Sequence, residues 1–486
     1  MRCRCSLSAS ALRPFVQLCE NPHPHTIISM NSSDVSRVLS NARCSNHTRC
    51  FARVLSYMTQ APSESVSLTK LSFPFKMYTT PQSKIHTCCQ SLLSYNPPPP
   101  IHHPYATSSS RGSYTKFSST LFSYNFLDQP FSLPSSPDDY SIDVLSDYAN
   151  EHARLKAKVA IPNKHGSFYP TVLDAFLNDP KWLSKCIEGT NPLRNGMTSE
   201  SLRESMWRES RRGLNCREAT QFFPSKVKSF LTHVMGKVLY GQYNGSKLPT
   251  QGQNDESNQV CEGQELPRPL SSLRVLDPCA GWGDRLAGFM AGNVDFYMGC
   301  DPNSDLFNGY ENLKNWMKTA GSRTNVELIN SPFENLDLSD YHEYFDLVFT
   351  GPPFFDFEKY TNIEGQSIDD CNDCNDWLSD WLFPMCIKSV AALKYDGILA
   401  LYIADLFKPF VFVEPLCLFM EIWSCCKYFG PVSFISGRNL HRPIWIWKKG
   451  QSKSNDDVRV AEARKVFEKE YKVLYDKCCD QFDCHK

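Results

Sequence analysis

The chain has no apolar run with the length and continuity that a membrane-spanning helix needs. Its longest apolar stretch, residues 407–429, is interrupted by Lys408, Pro409, Glu414 and Glu421. A helix that crosses a bilayer needs roughly 20 mostly apolar residues without such breaks. We therefore expect this stretch to be protein core, and we expect no membrane partner.

The beginning of the chain is poor in acidic residues. Residues 1–136 contain 12 Lys and Arg against four Asp and Glu, so they carry +8 and the remainder −9. They are rich in Ser, Thr and Pro and weak in apolar periodicity, which predicts a disordered leader over residues 1–137 with no packed core. The composition is also typical of a mitochondrial or plastid transit peptide. A nuclear or cytosolic tail, or a later start at Met30, Met58 or Met77, would have the same composition.

The acidic remainder lacks the basic footprint that nucleic-acid binding usually needs. The best candidate stretch contains Arg203, Arg208, Arg211, Arg212, Arg217, Lys226 and Lys228. Glutamates are interspersed among these residues, so the stretch is either a set of phosphate contacts or a solvated helix face.

The 21 cysteines come without a leader that contains a convincing apolar stretch, so we expect reduced thiols in an intracellular compartment and not a disulfide framework. Cys371 and Cys374 form one C-x-x-C pair, and Cys478, Cys479, Cys484 and His485 cluster near the end. Four ligands from these segments would suit zinc if the segments met in space. The spacing does not require such a site, and we expect no metal.

Changes in pattern divide the rest of the chain. Residues 138–240 read as a helical extension, with helices expected over 142–160, over 199–212 and after Pro224. Residues 241–271 are polar and form a linker. Residues 272–450 alternate short apolar runs with helical patterns, and residues 451–486 form an amphipathic helix and a tail.

Seven apolar runs in residues 272–450 are strand candidates. They are Leu273–Leu276, Phe296–Cys300, Val326–Ile329, Phe345–Thr350, Ile398–Ile403, Val432–Ile435 and Ile444–Trp447. Their alternation with helices indicates βαβ units and an α/β fold with a mostly parallel sheet. The last two runs are close in sequence, as in a terminal hairpin.

A glycine-rich loop follows the first of these strands, in the sequence Asp-Pro-Cys-Ala-Gly-Trp-Gly from Asp277 to Gly283. Gly281 and Gly283 lack a Cβ, so the backbone can turn sharply and approach a ligand closely. About 20 residues later, Asp301 ends the second strand, where a carboxylate can accept both ribose hydroxyls of a nucleoside cofactor. A nicotinamide dehydrogenase is the rival interpretation, but it prefers G-x-G-x-x-G, which this loop does not continue.

VLDPCAGWGDRLAG followed by GCDPN resembles the S-adenosylmethionine site of class I methyltransferases, and above all putative DNA methylases whose first motif reads DPCAGWGDR. The resemblance covers roughly residues 140–450 and implies a Rossmann-like seven-stranded sheet with S-adenosyl-L-methionine as cofactor. It places the cofactor against Asp277, Pro278, Ala280, Gly281, Gly283 and Asp301. Asn330 and Ser331 would lie beside the adenine. Phe222 and Pro224 resemble an F-x-P segment that lines the cofactor, or else they mark a helix start with a hydrophobic staple.

Gly351, Pro352, Pro353 and Phe354 follow the fourth strand and resemble the (D/N/S)-P-P-(Y/F/W) motif of amino methyltransferases, which act on adenine, cytosine, guanine or protein glutamine. Acceptors in that motif bind the amino hydrogens and localise the nitrogen lone pair, while the aromatic ring stacks the substrate. Gly351 departs from the pattern because it has no side-chain acceptor. The Pro352 carbonyl remains available, and Thr350 or Asp356 would supply the second acceptor.

Asp356 and Glu358, just after this motif, either position the substrate or are simply solvated. The resemblance implies methylation of an exocyclic amino nitrogen of a nucleic-acid base, with DNA adenine or cytosine first and residues 140–230 helping to hold the nucleic acid. An RNA or protein-glutamine methyltransferase is the second reading. The third hypothesis is a cofactor-binding but inactive partner subunit, which the missing side-chain acceptor at Gly351 suggests.

Overall fold

The structure is a computed structural model that describes residues 80–98, 101–102, 121, 131–133, 140–161, 164, 166–188, 199–212, 216–219, 222–235, 270–361, 364–369, 371–405, 411–435, 441–451, 453 and 457–482. The chain divides into two compact units. The first contains Glu151–Ile161 and Gly166–Ala219 together with Met1–Pro81, and the second contains Gln82–Asn150, Pro162–His165 and Thr220–Lys486. Most of the predicted linker and the first 79 residues lie outside the described residues.

Helices predominate before residue 272, and strands alternate with helices after it. The helices are α1 (Gln82–Ser94), α2 (Leu145–Lys156), α3 (Val172–Asn178), α4 (Pro180–Glu188), α5 (Ser199–Arg212), α6 (Pro224–Phe230), α7 (Asp284–Ala291), α8 (Phe307–Thr319), α9 (Cys374–Asp376), α10 (Phe383–Ala392), α11 (Val413–Trp423), α12 (Val458–Glu470) and α13 (Lys472–Phe482). The strands are β1 (Ile101–His102), β2 (Phe131–Leu133), β3 (Lys158–Val159), β4 (Arg274–Asp277), β5 (Phe296–Cys300), β6 (Asn325–Ile329), β7 (Phe345–Thr350), β8 (Glu358–Lys359), β9 (Leu393–Tyr402), β10 (Cys426–Ile435) and β11 (His441–Lys449).

The second unit is built on one large sheet with the strand order β1-β2-β10-β11-β9-β7-β4-β5-β6. Strands β6, β5, β4, β7 and β9 are parallel, and β11 pairs antiparallel with both β9 and β10. The chain order therefore reverses between β4 and β7, which is the switch point where open α/β sheets bind ligands. The predicted α/β class with a mostly parallel, Rossmann-like sheet is confirmed.

All seven predicted strands are present, and the last two form the predicted hairpin. Among the described residues, this sheet has nine strands and not the predicted seven, because β2 adds parallel to β10 and β1 adds antiparallel to β2. These two edge strands span two and three residues, which is too short to give a readable alternation. Every residue of β7 is buried, as expected for a parallel strand that is covered on both faces.

Helix α11, in the middle of the long apolar stretch, is core, as predicted. Helix α11 is buried from Val413 to Ile422, including its two glutamates. Tyr471 donates a 2.8 Å hydrogen bond to Glu414, and Lys453 lies 3.2 Å from Glu421, so each buried carboxylate has a partner. Among the residues that the structure describes, no helix has the length and apolar character to cross a membrane.

The prediction of an unpacked leader is wrong for helix α1. Ile85, Cys88, Cys89 and Leu92 are buried on one face of this helix, which contacts α7 and α8. Its last carbonyls are capped from α6, because Lys228 Nζ donates to the oxygens of Leu92 at 3.0 Å and Leu93 at 2.6 Å. The composition of the leader did not indicate this helix, because Ser, Thr and Gln are interspersed among its buried apolar residues.

Helix α6 packs tightly on α7 through two glycines. A Cβ built on Gly288 would lie 2.4 Å from the Val227 Cβ, and one on Gly292 would lie 2.4 Å from Leu231 Cδ1. Both distances are far below van der Waals contact, so only glycine lets these helices approach so closely. Pro224 occupies the first turn of α6, where its missing N–H costs nothing.

The predicted helix over residues 142–160 is shorter and kinked. A 3₁₀ turn spans Tyr140–Asp143, α2 follows it, and Asn150 breaks the helical geometry at φ −128° and ψ 15°. Helix α5 has the predicted bounds. The predicted C-terminal helix forms as two helices, α12 and α13.

The first unit contains a buried cluster of charged side chains. Arg203 Nε lies 2.6 Å from Glu151 and its Nη1 lies 3.1 Å from Glu218, while Arg154 lies 2.7 Å from Glu218. Arg203 is fully buried, so it is not the phosphate contact that the sequence offered. Two buried guanidinium groups and two carboxylates balance one another, as buried charges require.

Candidate active site

A cavity in the second unit opens where β4, β5, β7 and β9 end. It joins the glycine loop, the end of β5, the Gly-Pro-Pro-Phe loop and the segment after β6. Its lining includes Phe222, Pro278, Cys279, Ala280, Gly281, Trp282, Asp284, Arg285, Asp301, Asn303, Pro332, Phe333, Glu334, Gly351, Pro352, Pro353, Phe354, Glu358, Tyr360, Trp381 and Tyr402. Nine of the fourteen predicted site residues are in this set; Asp277, Gly283, Pro224, Ser331 and Asp356 are not.

The glycine loop has the backbone that its sequence predicts. Gly281 has φ +63° and Gly283 has φ +95°, a left-handed conformation that glycine adopts at little cost. Gly283 is the N-cap of α7, so the loop leads directly into a helix N-terminus. Tyr310 donates a hydrogen bond to the Gly281 carbonyl, and Ala280 N bonds the Cys300 carbonyl at 2.9 Å, which ties the loop to α8 and β5.

Asp277 does not have the place that the resemblance implies. Its side chain is fully buried, and its Oδ2 lies 2.7 Å from Arg285 Nε and 3.0 Å from the Tyr297 hydroxyl. These contacts hold the carboxylate inside the protein, and Asp277 is not part of the cavity lining. Burial lowers the pKa of the Arg285 guanidinium, but the neighbouring Asp277 carboxylate raises it, and the net effect is an increase. Asp277 therefore anchors an arginine, and it is Arg285 that reaches the cavity.

Asp301 lines the cavity at the end of β5, as predicted. Its Oδ2 accepts a 2.9 Å hydrogen bond from Gly281 N and its Oδ1 a 3.0 Å bond from Asn303 N. Burial raises the pKa of Asp301 to about 6, although these two backbone donors oppose the increase. A carboxylate has about four acceptor positions, so two remain for hydroxyl groups of a ligand.

The segment that begins with Tyr140–Asp143 supports the glycine loop from the other side. Ser146 donates to the carboxylate of Asp284, in the first turn of α7, and Asn150 Nδ2 donates to the Trp282 carbonyl at 3.0 Å. The kink at Asn150 brings its side chain to this position. None of these contacts follows from sequence spacing, because the partners are more than 130 residues apart.

An aromatic wall surrounds the Gly-Pro-Pro-Phe loop. The Tyr402 ring lies 6.3 Å from the Phe354 ring, centroid to centroid, and 5.1 Å from the Phe222 ring, which meets it edge-on. Phe222 therefore lines the cavity, and its contact with the cofactor stays a prediction. Pro224, its predicted companion, starts α6 instead, which is the helix-start interpretation of this residue.

The three candidate acceptors near the Gly-Pro-Pro-Phe loop, Thr350, Asp356 and Glu358, differ in where their side chains lie. Thr350 is fully buried, and its Oγ1 accepts a 3.2 Å hydrogen bond from Cys279 N. Asp356 is not part of the lining, whereas Glu358 is, and a hydrogen bond links Glu358 to Tyr360. Glu358 is thus the carboxylate that this loop contributes to the cavity.

The residues after β6 also differ from the prediction. Asn330 Nδ2 donates to the backbone oxygens of Asp301 at 3.0 Å and Pro302 at 3.1 Å, and Ser331 Oγ donates to the Pro332 carbonyl. Both side chains therefore hold the local backbone. The next residues, Phe333 and Glu334, line the cavity.

Trp381 lies beside this segment, and its Nε1 donates to Glu334 at 3.3 Å. No sequence pattern pointed to Trp381, because it lies in a π-helical turn, Trp377–Leu382, with no motif around it. Its indole and the Phe333 ring provide the flat apolar surface that this end of the cavity offers.

Where the structure describes them, the cysteines and the basic stretch that the sequence singled out are not part of this cavity lining. No group of three or more His, Cys, Asp or Glu within the described ranges is arranged to hold a metal ion. Cys484 and His485 lie outside those ranges. The described cysteines are free thiols. Of the basic stretch, Lys226 is buried, and burial lowers its pKa to about 8.

No protein-family model and no curated protein matches this sequence. Among solved structures, a methyltransferase homolog protein from Pyrococcus horikoshii is 16% identical, with a TM-score of 0.27 over 37% of this chain and 63% of that one. The match therefore spans less than two thirds of the Pyrococcus protein. A putative class I S-adenosylmethionine-dependent methyltransferase from Listeria monocytogenes is 13% identical, with a TM-score of 0.32 over 66% of this chain and 86% of that one. Magnesium protoporphyrin IX methyltransferase from Synechocystis, solved with its cofactor bound, is 10% identical, with a TM-score of 0.29 over 48% and 86% of the two chains.

Proposed function

We propose that this chain is an S-adenosyl-L-methionine-dependent methyltransferase that acts on an exocyclic amino nitrogen of a nucleic-acid base, with DNA adenine or cytosine as the first candidates. One observation carries the proposal. Asp301, the glycine loop and the Pro352-Pro353-Phe354 segment line a single cavity at the switch point of the sheet.

The lining fits the cofactor in three respects. Asp301 has acceptor positions left for the two ribose hydroxyls. Phe333 and Trp381 provide flat surfaces for the adenine, and the left-handed glycine backbone at Gly281 lets the amino-acid end approach closely. The rings of Phe222 and Tyr402 also line the cavity, and a sulfonium placed over either ring would be attracted by its negative face. When bound, the cofactor supplies an electrophilic methyl group.

The residues of this chain would orient and deprotonate the acceptor nitrogen. Phe354 would stack the base after it has left the helix, since a base within a duplex is out of reach. The Pro352 carbonyl would accept one amino hydrogen and Glu358 the other, which localises the lone pair. As the nitrogen–carbon bond forms and the carbon–sulfur bond breaks, the nitrogen becomes cationic, and its proton would pass to Glu358. Holding nitrogen, methyl and sulfur in line supplies much of the rate.

The test is transfer of a labelled methyl group from the cofactor to DNA, RNA or a protein extract, followed by digestion to find the methylated atom. We expect label on an amino nitrogen of DNA, and we expect Glu358→Gln to reduce transfer at least a hundredfold while cofactor affinity stays unchanged. Label on ring carbons or on oxygen would overturn the proposal. Cofactor binding without transfer to any of the three would identify an inactive partner subunit.

A protein-glutamine methyltransferase is the second candidate, and the basic stretch favours it. Arg203 is buried in ion pairs, Lys226 is buried, and Lys228 is bound to the carbonyls of α1. The phosphate contacts expected of a DNA enzyme are therefore reduced. A side-chain amide also presents an amino group with a delocalised lone pair, and it needs no phosphate contacts. Label recovered in protein glutamine would decide for this candidate.

A further inference from the structure

Arg285 is the sole basic residue among the cavity-lining residues that the structure describes. The same lining contains the carboxylates Asp284, Asp301, Glu334 and Glu358. Cationic parts of a ligand thus have four candidate partners in this cavity. A negatively charged group has only Arg285.

Two of the three nitrogens of the Arg285 guanidinium are bound by other groups of the protein. Its Nε lies 2.7 Å from Asp277 Oδ2, and its Nη2 donates to the Cys279 carbonyl. Among the described residues, Nη1 has no hydrogen-bond acceptor. Because two contacts fix the plane of the group, the direction of the Nη1 donors is set before any ligand arrives.

Nη1 lies at the first position of the Gly-Pro-Pro-Phe loop. A Cβ built on Gly351 would be 3.2 Å from Nη1 and 3.3 Å from the Tyr402 ring. The guanidinium therefore borders the space that a longer side chain at residue 351 would fill. A cationic donor now stands where the related motif has an acceptor, so the group bound here must itself be an acceptor.

We infer that Arg285 Nη1 binds the α-carboxylate of the cofactor's methionine end, a role that rests on the proposed function. Two physical reasons favour this group over a neutral acceptor on the substrate. A carboxylate forms an ion pair with the guanidinium, which adds a Coulomb attraction that a neutral acceptor lacks. A carboxylate beside Arg285 also shields the sulfonium from the like charge of the guanidinium. The Asp277–Arg285 pair is thus part of the cofactor site through its arginine.

Binding experiments test this without any methyl acceptor. Affinities for S-adenosylmethionine and for its decarboxylated analogue are measured by calorimetry on the full chain. Wild type should bind the carboxylate form about tenfold to a hundredfold more tightly, as expected for one charge-assisted bond. Arg285→Lys should remove this preference, because a single ammonium that pairs with Asp277 has no second nitrogen to direct at Gly351.

A second variant guards against misfolding of the first. Asp277→Asn combined with Arg285→Gln removes both charges, so no buried ion is left unpaired, and it should also bind both ligands with equal affinity. Equal affinities in wild type, or an unchanged preference in both variants, would overturn the inference while cofactor binding stands. If wild type binds neither ligand, the proposed function itself fails, and the inference fails with it.

Discussion

The side chain of Asn150 fills the space beside Gly309 on α8. A Cβ built on Gly309 would lie only 1.8 Å from Asn150 Oδ1 and 2.5 Å from the Ala149 carbonyl. The same side chain donates to the Trp282 carbonyl through its Nδ2. The glycine loop thus depends on a glycine in a helix that follows the next strand.

Gly309→Ala should therefore displace Asn150 and loosen the glycine loop. Overpacking of this kind costs about 1–3 kcal/mol. We expect a lower free energy of unfolding in urea and a lower affinity for S-adenosylhomocysteine. Asn308→Ala, at the exposed neighbouring position, is the control and should change neither quantity by more than about 0.5 kcal/mol. An unaltered midpoint for Gly309→Ala would refute the contact.

Cofactor affinity should depend on pH through Asp301. Burial raises the pKa of this carboxyl to about 6, and only the ionised form offers both oxygens to ribose hydroxyls. Affinity should therefore be constant above pH 6 and fall as pH decreases through 6, approaching tenfold per unit. Calorimetry between pH 5 and 8 measures this. Asp301→Asn should bind at least tenfold more weakly and lose the pH dependence; a wild-type profile without a slope would contradict the assignment.

Removing the Asp277 carboxylate should lower the free energy of unfolding more than removing a carboxylate from a surface loop. Asp277→Asn leaves the Arg285 guanidinium buried without its ion-pair partner, and breaking a buried pair costs about 3–5 kcal/mol. We expect this loss in the free energy of unfolding. Asp356→Asn is the matched control, since Asp356 is only half-buried whereas Asp277 is fully buried, and it should change stability by less than about 1 kcal/mol. Equal stabilities of the two variants would show that the Arg285 pair is not structural.

Helix α1 should become less protected when its cap is removed. Lys228→Met deletes the two hydrogen bonds to the Leu92 and Leu93 carbonyls, each of which has a charged donor. Local opening should become easier by about 1–3 kcal/mol, so amide exchange in residues 82–94 should accelerate. Lys318→Met, at an exposed position on α8, controls for loss of charge alone. Unchanged exchange in Lys228→Met would mean that the apolar face of α1 holds it without the cap.

Sequence patterns predicted the sheet well because its central strands are short and mostly apolar, such as Phe345–Thr350. They also located Gly281 and Asp301, since a strand, a glycine turn and an acid at the next strand end are local signals. Arg285 lies within the same motif, but its role could not be predicted, because its side chain turns back to Asp277 and only the folded geometry shows which nitrogen remains.

The other differences between prediction and structure also arise from contacts that only the folded chain forms. Asn150 is hydrogen-bonded to Trp282, 132 positions away in sequence. The helix kink that accompanies this contact occurs without a proline, so the sequence does not predict it. Glu358 and Asp356 are equivalent as sequence, two acids two residues apart, yet only Glu358 lines the cavity. Tertiary packing determines which of these side chains reaches its partner or the cavity, and sequence periodicity carries no information about tertiary packing.

The close approach of α6 and α7 at Gly288 and Gly292 also bears on where the domain that contains the cavity begins. A fragment cut at residue 272, where the composition changes, would keep every sheet strand from β4 onward. It would nevertheless lose Val227, Leu231 and the Asn150 contact, and leave a bare apolar groove along α7. The packing of this domain therefore extends far upstream of the recognisable motifs, and we expect the truncated fragment to aggregate.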